Sequence, residues 1–278
     1  MSNSIRIIED QKGAGTSVTR VRQLFQDVEI RNKVIALIEG SDDKLCFNHL
    51  MSPNQVYLHP LNIRFHKKVI NDLITEYPEK LISIRDADFS RVNSDIPTCS
   101  NMFITDAHDL ETMMLKGGNL VALAADYPGL ADNIDENALC ENLKNYSYLK
   151  WYNYNGHKNI AFDKISTINL YENGKLGNRV ALFSEVCACV SVHCAKFEEY
   201  DAFCKNHPID TNDVFSITNG HDLMDCIYSE MHKCKKSNLH KRKMQKSFCK
   251  NYNIKMFKKT LLYTQLYQWG ERNGRHLF

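Results

Sequence analysis

Lys33-Val34-Ile35-Ala36-Leu37-Ile38-Glu39-Gly40-Ser41-Asp42-Asp43 decides the fold. Its apolar run is short and rich in β-branched residues, the pattern of a strand buried on both faces of a parallel sheet. Glu39-Gly40 ends the run. Ser41 is placed to cap a following helix, with Asp42 and Asp43 in its first turn, where negative charge is favoured. Leu45, Phe47 and Leu50 fit that helix, and Pro53 must follow it.

Working outward, the same alternation recurs. Gln55–Leu58 reads as a second strand, and Val69, Leu73 and Ile74 mark a second helix. Leu81–Ile84 reads as a third strand, delivering Asp86-Ala87-Asp88 at its end. Met102–Thr105 reads as a fourth, followed by Asp106-Ala107-His108-Asp109 and a helix through Leu110, Met113, Met114 and Leu115 that Gly117-Gly118 stops. Strands alternating with helices imply an α/β fold with a parallel sheet core flanked by helices. The organisation expected is a core with its lead-in over 1–118, a mainly helical insertion over 119–212 with an irregular stretch from about Trp151 to Gly177, and a last segment over 213–278. That segment is expected to hold a final core strand at Val214–Ile217, a basic region and a terminal helix over about Ile254–Trp269.

Bulk composition narrows little. The chain has 278 residues, 43% of them hydrophobic and a formal net charge of +2, which is ordinary for a globular protein. Charge distribution says more, since no Asp or Glu occurs from Met231 to Gly270. Ten scattered cysteines without a CxxC pair read as reduced cytosolic thiols, and Cys187, Cys189 and Cys194 lack the spacing of a zinc site. The first residues lack the apolar core of a signal peptide. The longest apolar stretch, Val180–Val192, is broken by Ser184 and Glu185 and is too short for a bilayer. The expectation is a cytoplasmic protein without membrane contact.

Ligands of parallel α/β sheets bind beyond the carboxyl ends of the strands. Acids fall at three such ends: Glu39 and Asp43, Asp86 and Asp88, Asp109 and Glu111. Magnesium prefers hard oxygen ligands, and carboxylates from several strand ends can supply them. That pattern points to Mg²⁺ or Mn²⁺ and to phosphoryl chemistry. Each acid taken singly also has a plain reading as a helix cap or a solvated loop residue: Asp106 as a turn former, Asp109 as an N-cap. His221 follows the expected last strand and stands as a candidate phosphate donor or a local hydrogen-bonding residue. His108 is expected to support the acids around it. Lys235, Lys236, Lys241, Arg242, Lys243 and Lys246, interleaved with Phe248 and Tyr252, form a candidate grip on a nucleic-acid backbone, against the plain reading of a solvated helix face. The Tyr-rich stretch Tyr146–Tyr154 with Trp151 is expected to pack the core.

The order of these motifs resembles a known family. "IEGSDD" resembles the Toprim signature, and "IRDADF" its DxD motif. "ITDAHDLETMML" and "ITNGHDL" are similar to additional blocks of the OLD-like Toprim nucleases encoded beside ABC-type ATPases, above all the Toprim effector subunits of PARIS-type anti-phage systems. The matching blocks cover about residues 33–116 and 214–225. The resemblance implies a metal-dependent nuclease, with the Glu39 position as metal ligand or general acid/base and Asp43, Asp86 and Asp88 as metal ligands. It places Asp109 and Glu111 near a second metal. It further implies a nucleic-acid substrate (RNA, tRNA in particular, over DNA), an ABC-type ATPase partner, a role as a toxic defence effector and a homodimer. The family commonly carries a lysine near its last strand; this sequence offers His221-Asp222 there. A non-catalytic Toprim-like subunit of an ATPase complex is the alternative. A topoisomerase would need a tyrosine-bearing gate domain that this length does not accommodate. A haloacid-dehalogenase-type phosphatase gives Glu39 no role.

Overall fold

The computed structural model describes residues 13, 15–118, 120, 134–156, 158–190, 196–233 and 241–278. They divide into two compact units interleaved along the chain: Met1–Asp86, Ile96–Asp106 and Tyr252–Phe278 in the first, Ala87–Asp95 and Ala107–Asn251 in the second.

The first unit is built on four parallel strands, β1 (Val34–Ile38), β2 (Val56–Pro60), β3 (Leu81–Arg85) and β4 (Met102–Ile104), in the order β2-β1-β3-β4. Every residue of β1 is buried, as a central strand covered on both faces requires. The chain leaves β1 toward β2 and then crosses back over β1 to β3. Right-handed crossovers in opposite directions place the intervening helices on opposite faces. On one face Val69, Ile70 and Leu73 of the helix Ile63–Leu73 pack with Ile35 and Leu37, joined by Val18, Val21 and Phe25. The helix Ser41–Leu50 follows β1 as expected, but its N-cap is Gly40 rather than Ser41. Its Phe47 meets Phe257 edge-on at 6.2 Å.

His66 ties this core together. Its Nε2 lies 2.8 Å from the Leu61 carbonyl oxygen, which can only accept, so Nε2 carries the proton. Nδ1 then accepts from the Ser83 hydroxyl at 2.6 Å. The ring is fully buried, and that burial pulls its pKa down to about 4, so the folded protein holds it neutral.

The second unit is helical. Leu110–Lys116 is followed by the long helix Glu136–Gly156, then Thr167–Glu172, Arg179–Val190, Phe197–Asn206, Gly220–Lys233 and Lys241–Asn251. The long helix runs through Trp151, correcting the break expected there. Tyr146, Tyr148, Trp151 and Tyr152 are buried, as a core reading of the aromatic stretch requires, while Tyr154 is half exposed. Phe89 stacks near Trp151, and the Trp151 indole donates to Asn93 at 2.8 Å, which fastens the segment Ala87–Asp95 into this unit.

Three other expectations change. The stretch read as a last core strand at Val214–Ile217 is a 3-10 helix over Thr211–Ser216, so its apolar residues bury without joining the sheet. The terminal helix is two, Ile254–Phe257 and Leu261–Asn273, separated because Asn253 and Thr260 each cap a new start. Cys46 and Cys249 each take part in a disulfide, against the reduced state expected, whereas Cys99, Cys140, Cys187, Cys189, Cys204 and Cys226 carry thiols. None of the described helices is long and apolar enough to cross a membrane.

Candidate functional site

The switch point of the sheet lies between β1 and β3, where the connections depart in opposite directions, and the crevice beyond the carboxyl ends of those strands is where such sheets bind ligands. Leu37 is in register with Ser83, so the first residues past the two strands, Glu39 and Asp86, emerge side by side. A Glu39 carboxylate oxygen accepts the Asp86 backbone N–H at 2.9 Å. Both residues are partly exposed. Asp43, on the first turn of the next helix, folds back to accept the Gly40 N–H at 2.8 Å. The sequence did not single out Arg85, the last residue of β3. Its Nε is buried and has no hydrogen-bond partner among the described residues, a signal visible only in three dimensions.

The remaining acids have definite partners. Asp106, in the first unit, accepts the backbone N–H groups of Leu261 and Leu262 at 2.6 and 2.8 Å and so anchors the start of the last helix. In the second unit Asp88 sits in the left-handed region at φ 45°, which Asp tolerates better than most side chains. Its N–H donates to the His108 carbonyl at 2.7 Å.

Asp109 is 4% exposed. It caps the helix Leu110–Lys116, accepting the Thr112 N–H at 2.9 Å and the Thr112 hydroxyl at 2.8 Å. It also accepts the Gly220 N–H at 2.6 Å, and His108 Nδ1 lies 3.2 Å from it. Burial pushes this carboxyl up, but the hydrogen bonds from His108, Gly220 and Thr112 outweigh burial and hold it below the usual carboxylate range. His108 thus supports the acid beside it, as expected.

His221 lies in the first turn of the helix Gly220–Lys233 rather than in a turn after a strand. It is exposed, with Nδ1 4.0 Å from Glu111. Its neighbour Asp222 is buried and pairs with Lys150 while accepting the Thr167 hydroxyl at 2.8 Å. Lys150 also stands 5.0 Å over the Tyr146 ring.

Among the expected basic residues, Lys235 and Lys236 lie outside the described residues. On the helix Lys241–Asn251, Arg242, Lys243 and Lys246 are exposed, whereas Lys241 is half-buried and pairs with Asp225. Phe248 and Tyr252 are buried, so these two aromatics pack the interior and offer no stacking surface.

Of the expected metal ligands, Glu39 accepts the Asp86 amide, Asp43 and Asp109 bond amides at helix starts, and Glu111 lies 4.0 Å from His221. Among the described residues no group of three His, Cys, Asp or Glu side chains is gathered to hold a metal. That excludes a closed protein cage there. It leaves room for magnesium, which is usually held by one or two carboxylates with water and substrate phosphate completing its shell. Glu39 and Asp86 stand at neighbouring strand ends, joined through the Asp86 backbone amide. Compared with protein-family models, curated proteins and solved structures, the chain matches none.

Proposed function

We propose that this chain is a divalent-metal-dependent phosphodiesterase that cuts nucleic acid, with its centre at the β1/β3 switch point. The observation that carries the reading is the hydrogen bond from the Asp86 backbone N–H to the Glu39 carboxylate, which sets both residues at that crevice. Their hard oxygen donors suit Mg²⁺ or Mn²⁺, which when bound activates water and neutralises charge on a phosphate. Asp86 serves as ligand. Glu39 serves as ligand or proton acceptor, its carboxylate oriented by the Asp86 amide. Asp43 lines the same strand end. Arg85 supplies a guanidinium for a phosphate oxygen, the cation that the motif around His221 lacks. The basic residues Arg242, Lys243 and Lys246 support a nucleic-acid substrate. RNA, the ATPase partner, the dimer and the defence role are supported by the motif resemblance.

A cleavage assay on labelled RNA and DNA with Mg²⁺ or Mn²⁺, wild type against Glu39→Ala, tests the reading. Equal cutting by the two proteins overturns it.

A second reading, a non-catalytic Toprim-like subunit that docks on an ATPase, is favoured by one observation: no three-ligand group is gathered among the described residues. Calorimetric titration with Mn²⁺ separates the two. Binding that disappears in Asp86→Asn supports the phosphodiesterase, and no binding by wild type supports the docking subunit.

A further inference from the structure

The last helix of the first unit ends in a reversal that depends on two glycines. Gly274 takes φ +62°, a backbone conformation that L side chains rarely adopt. The Arg275 N–H then donates to the Gly270 carbonyl at 2.8 Å. A Cβ on Gly270 would lie 2.5 Å from the Arg275 carbonyl oxygen, so only glycine lets the chain return this closely over the helix. Leu277 is buried, and its carbonyl accepts the Ser52 N–H at 2.8 Å, which pins the returning segment.

Between helix and returning segment lies a cleft of about 280 Å³. Tyr263, Tyr267 and Phe278 give it aromatic walls, and Lys258, Arg275 and His276 give it nitrogen donors. Tyr263 stands 4.7 Å from Phe278 and 5.9 Å from Tyr267, and Tyr267 is 48% exposed. Glu271, on the same wall, is an acceptor. Arg275 Nε is buried and has no hydrogen-bond partner among the described residues. Leaving a buried charged donor unpaired is costly, so an acceptor that reaches the Arg275 guanidinium, from water or from a ligand, is favoured.

We propose that this cleft binds one nucleotide unit, with the base stacked on Tyr267 and the phosphate held by Lys258 and Arg275. Exposed aromatic faces beside fixed cations are how single-stranded nucleic acid is held without regard to sequence. Glu271 accepts from an exocyclic base amine. The volume lies near the lower bound of small-ligand cavities, roughly 300 Å³, and so suits a single unit. This site deepens the nucleic-acid reading, yet its binding is measured without metal or cleavage, so each can fail alone.

The experiment is calorimetric titration in EDTA with AMP, CMP, inorganic phosphate and a four-nucleotide RNA. Wild type is expected to bind AMP or CMP more tightly than phosphate. Tyr267→Ala, at an exposed position, is expected to weaken binding roughly five- to a hundredfold, the usual worth of one stacked base. Lys258→Ala, also exposed, weakens it and reduces its salt dependence. A tighter tetranucleotide marks a strand as the natural source, and equal affinity marks a free nucleotide. No binding, binding equal to that of inorganic phosphate, or binding unchanged in both variants overturns the proposal.

Discussion

Replacing Asp109 with alanine separates a structural carboxylate from a metal ligand. Its side chain caps the helix Leu110–Lys116 and holds the buried Gly220 amide 2.6 Å away. Removing the cap costs about 1 kcal/mol. Stranding the buried Gly220 N–H adds about 1–3 kcal/mol, the desolvation penalty of an unsatisfied donor. The sum, about 2–4 kcal/mol, lowers the melting temperature by roughly 5–15 °C for a chain of this size. Thermal unfolding in EDTA, followed by circular dichroism, reads the shift. Gly220→Ala gives a second approach to the same contact, since its Cβ would lie 2.5 Å from Asp109 Oδ1. Two changes to one contact do not add, so the double variant should lose less than the sum of the singles. A carboxylate kept to hold a cation behaves oppositely: without metal, its removal relieves repulsion. An Asp109→Ala protein as stable as wild type in EDTA would refute the structural assignment.

Glu39→Gln keeps an oxygen for the Asp86 amide, so it should melt within about 1 kcal/mol of wild type while losing metal-dependent cleavage; retained cleavage would count against the proposed centre. His66 gives a pH dependence. An unfolded histidine titrates near 6.5, whereas burial takes the folded imidazole down to about 4. Between those values the unfolded chain binds more protons, so this contribution is complete above about pH 6.5 and is lost as pH falls toward 4, by up to about 3 kcal/mol. Urea unfolding at pH 7.5 and 4.5 should show His66→Gln less acid-sensitive than wild type, and equal slopes would argue against it. Changing Arg242, Lys243 and Lys246 together to Gln should flatten the salt dependence of RNA binding, measured by fluorescence anisotropy; an unchanged slope would assign them to a solvated face.

The sheet was legible because its signals are local. β1 is apolar throughout as a doubly covered strand must be, and each following helix opens within a few residues of its strand. Val214–Ile217 misled because a short apolar run buries equally well in a 3-10 turn, and periodicity over four residues does not distinguish the two. The aromatics and asparagines near Trp151 are weak helix formers, a preference that burial of Tyr146, Tyr148, Trp151 and Tyr152 overrides. The interleaving of the two units, with Asp86 in one and Ala87 in the next, depends on long-range packing such as Trp151 on Asn93 and leaves no local mark.

The acids illustrate what strand-end chemistry can and cannot reveal. A carboxylate just ahead of a helix, or in its first turn, meets unsatisfied backbone amides within three residues and is captured by them. Asp43 and Asp109 behave this way, on Gly40 and Thr112. Asp106 is captured by amides 155 and 156 residues away, which no local rule detects. Turns rather than a helix follow β3, so no helix start stands directly after Asp86. Glu39 stands one residue before the N-cap, and its longer side chain reaches across to accept the Asp86 amide beyond the neighbouring strand. An acid at a strand end is therefore informative in proportion to the distance of the nearest helix start. By that criterion Asp43 in the first cluster reads as a helix-start residue, and the proposed centre rests on the switch point rather than on the number of acids.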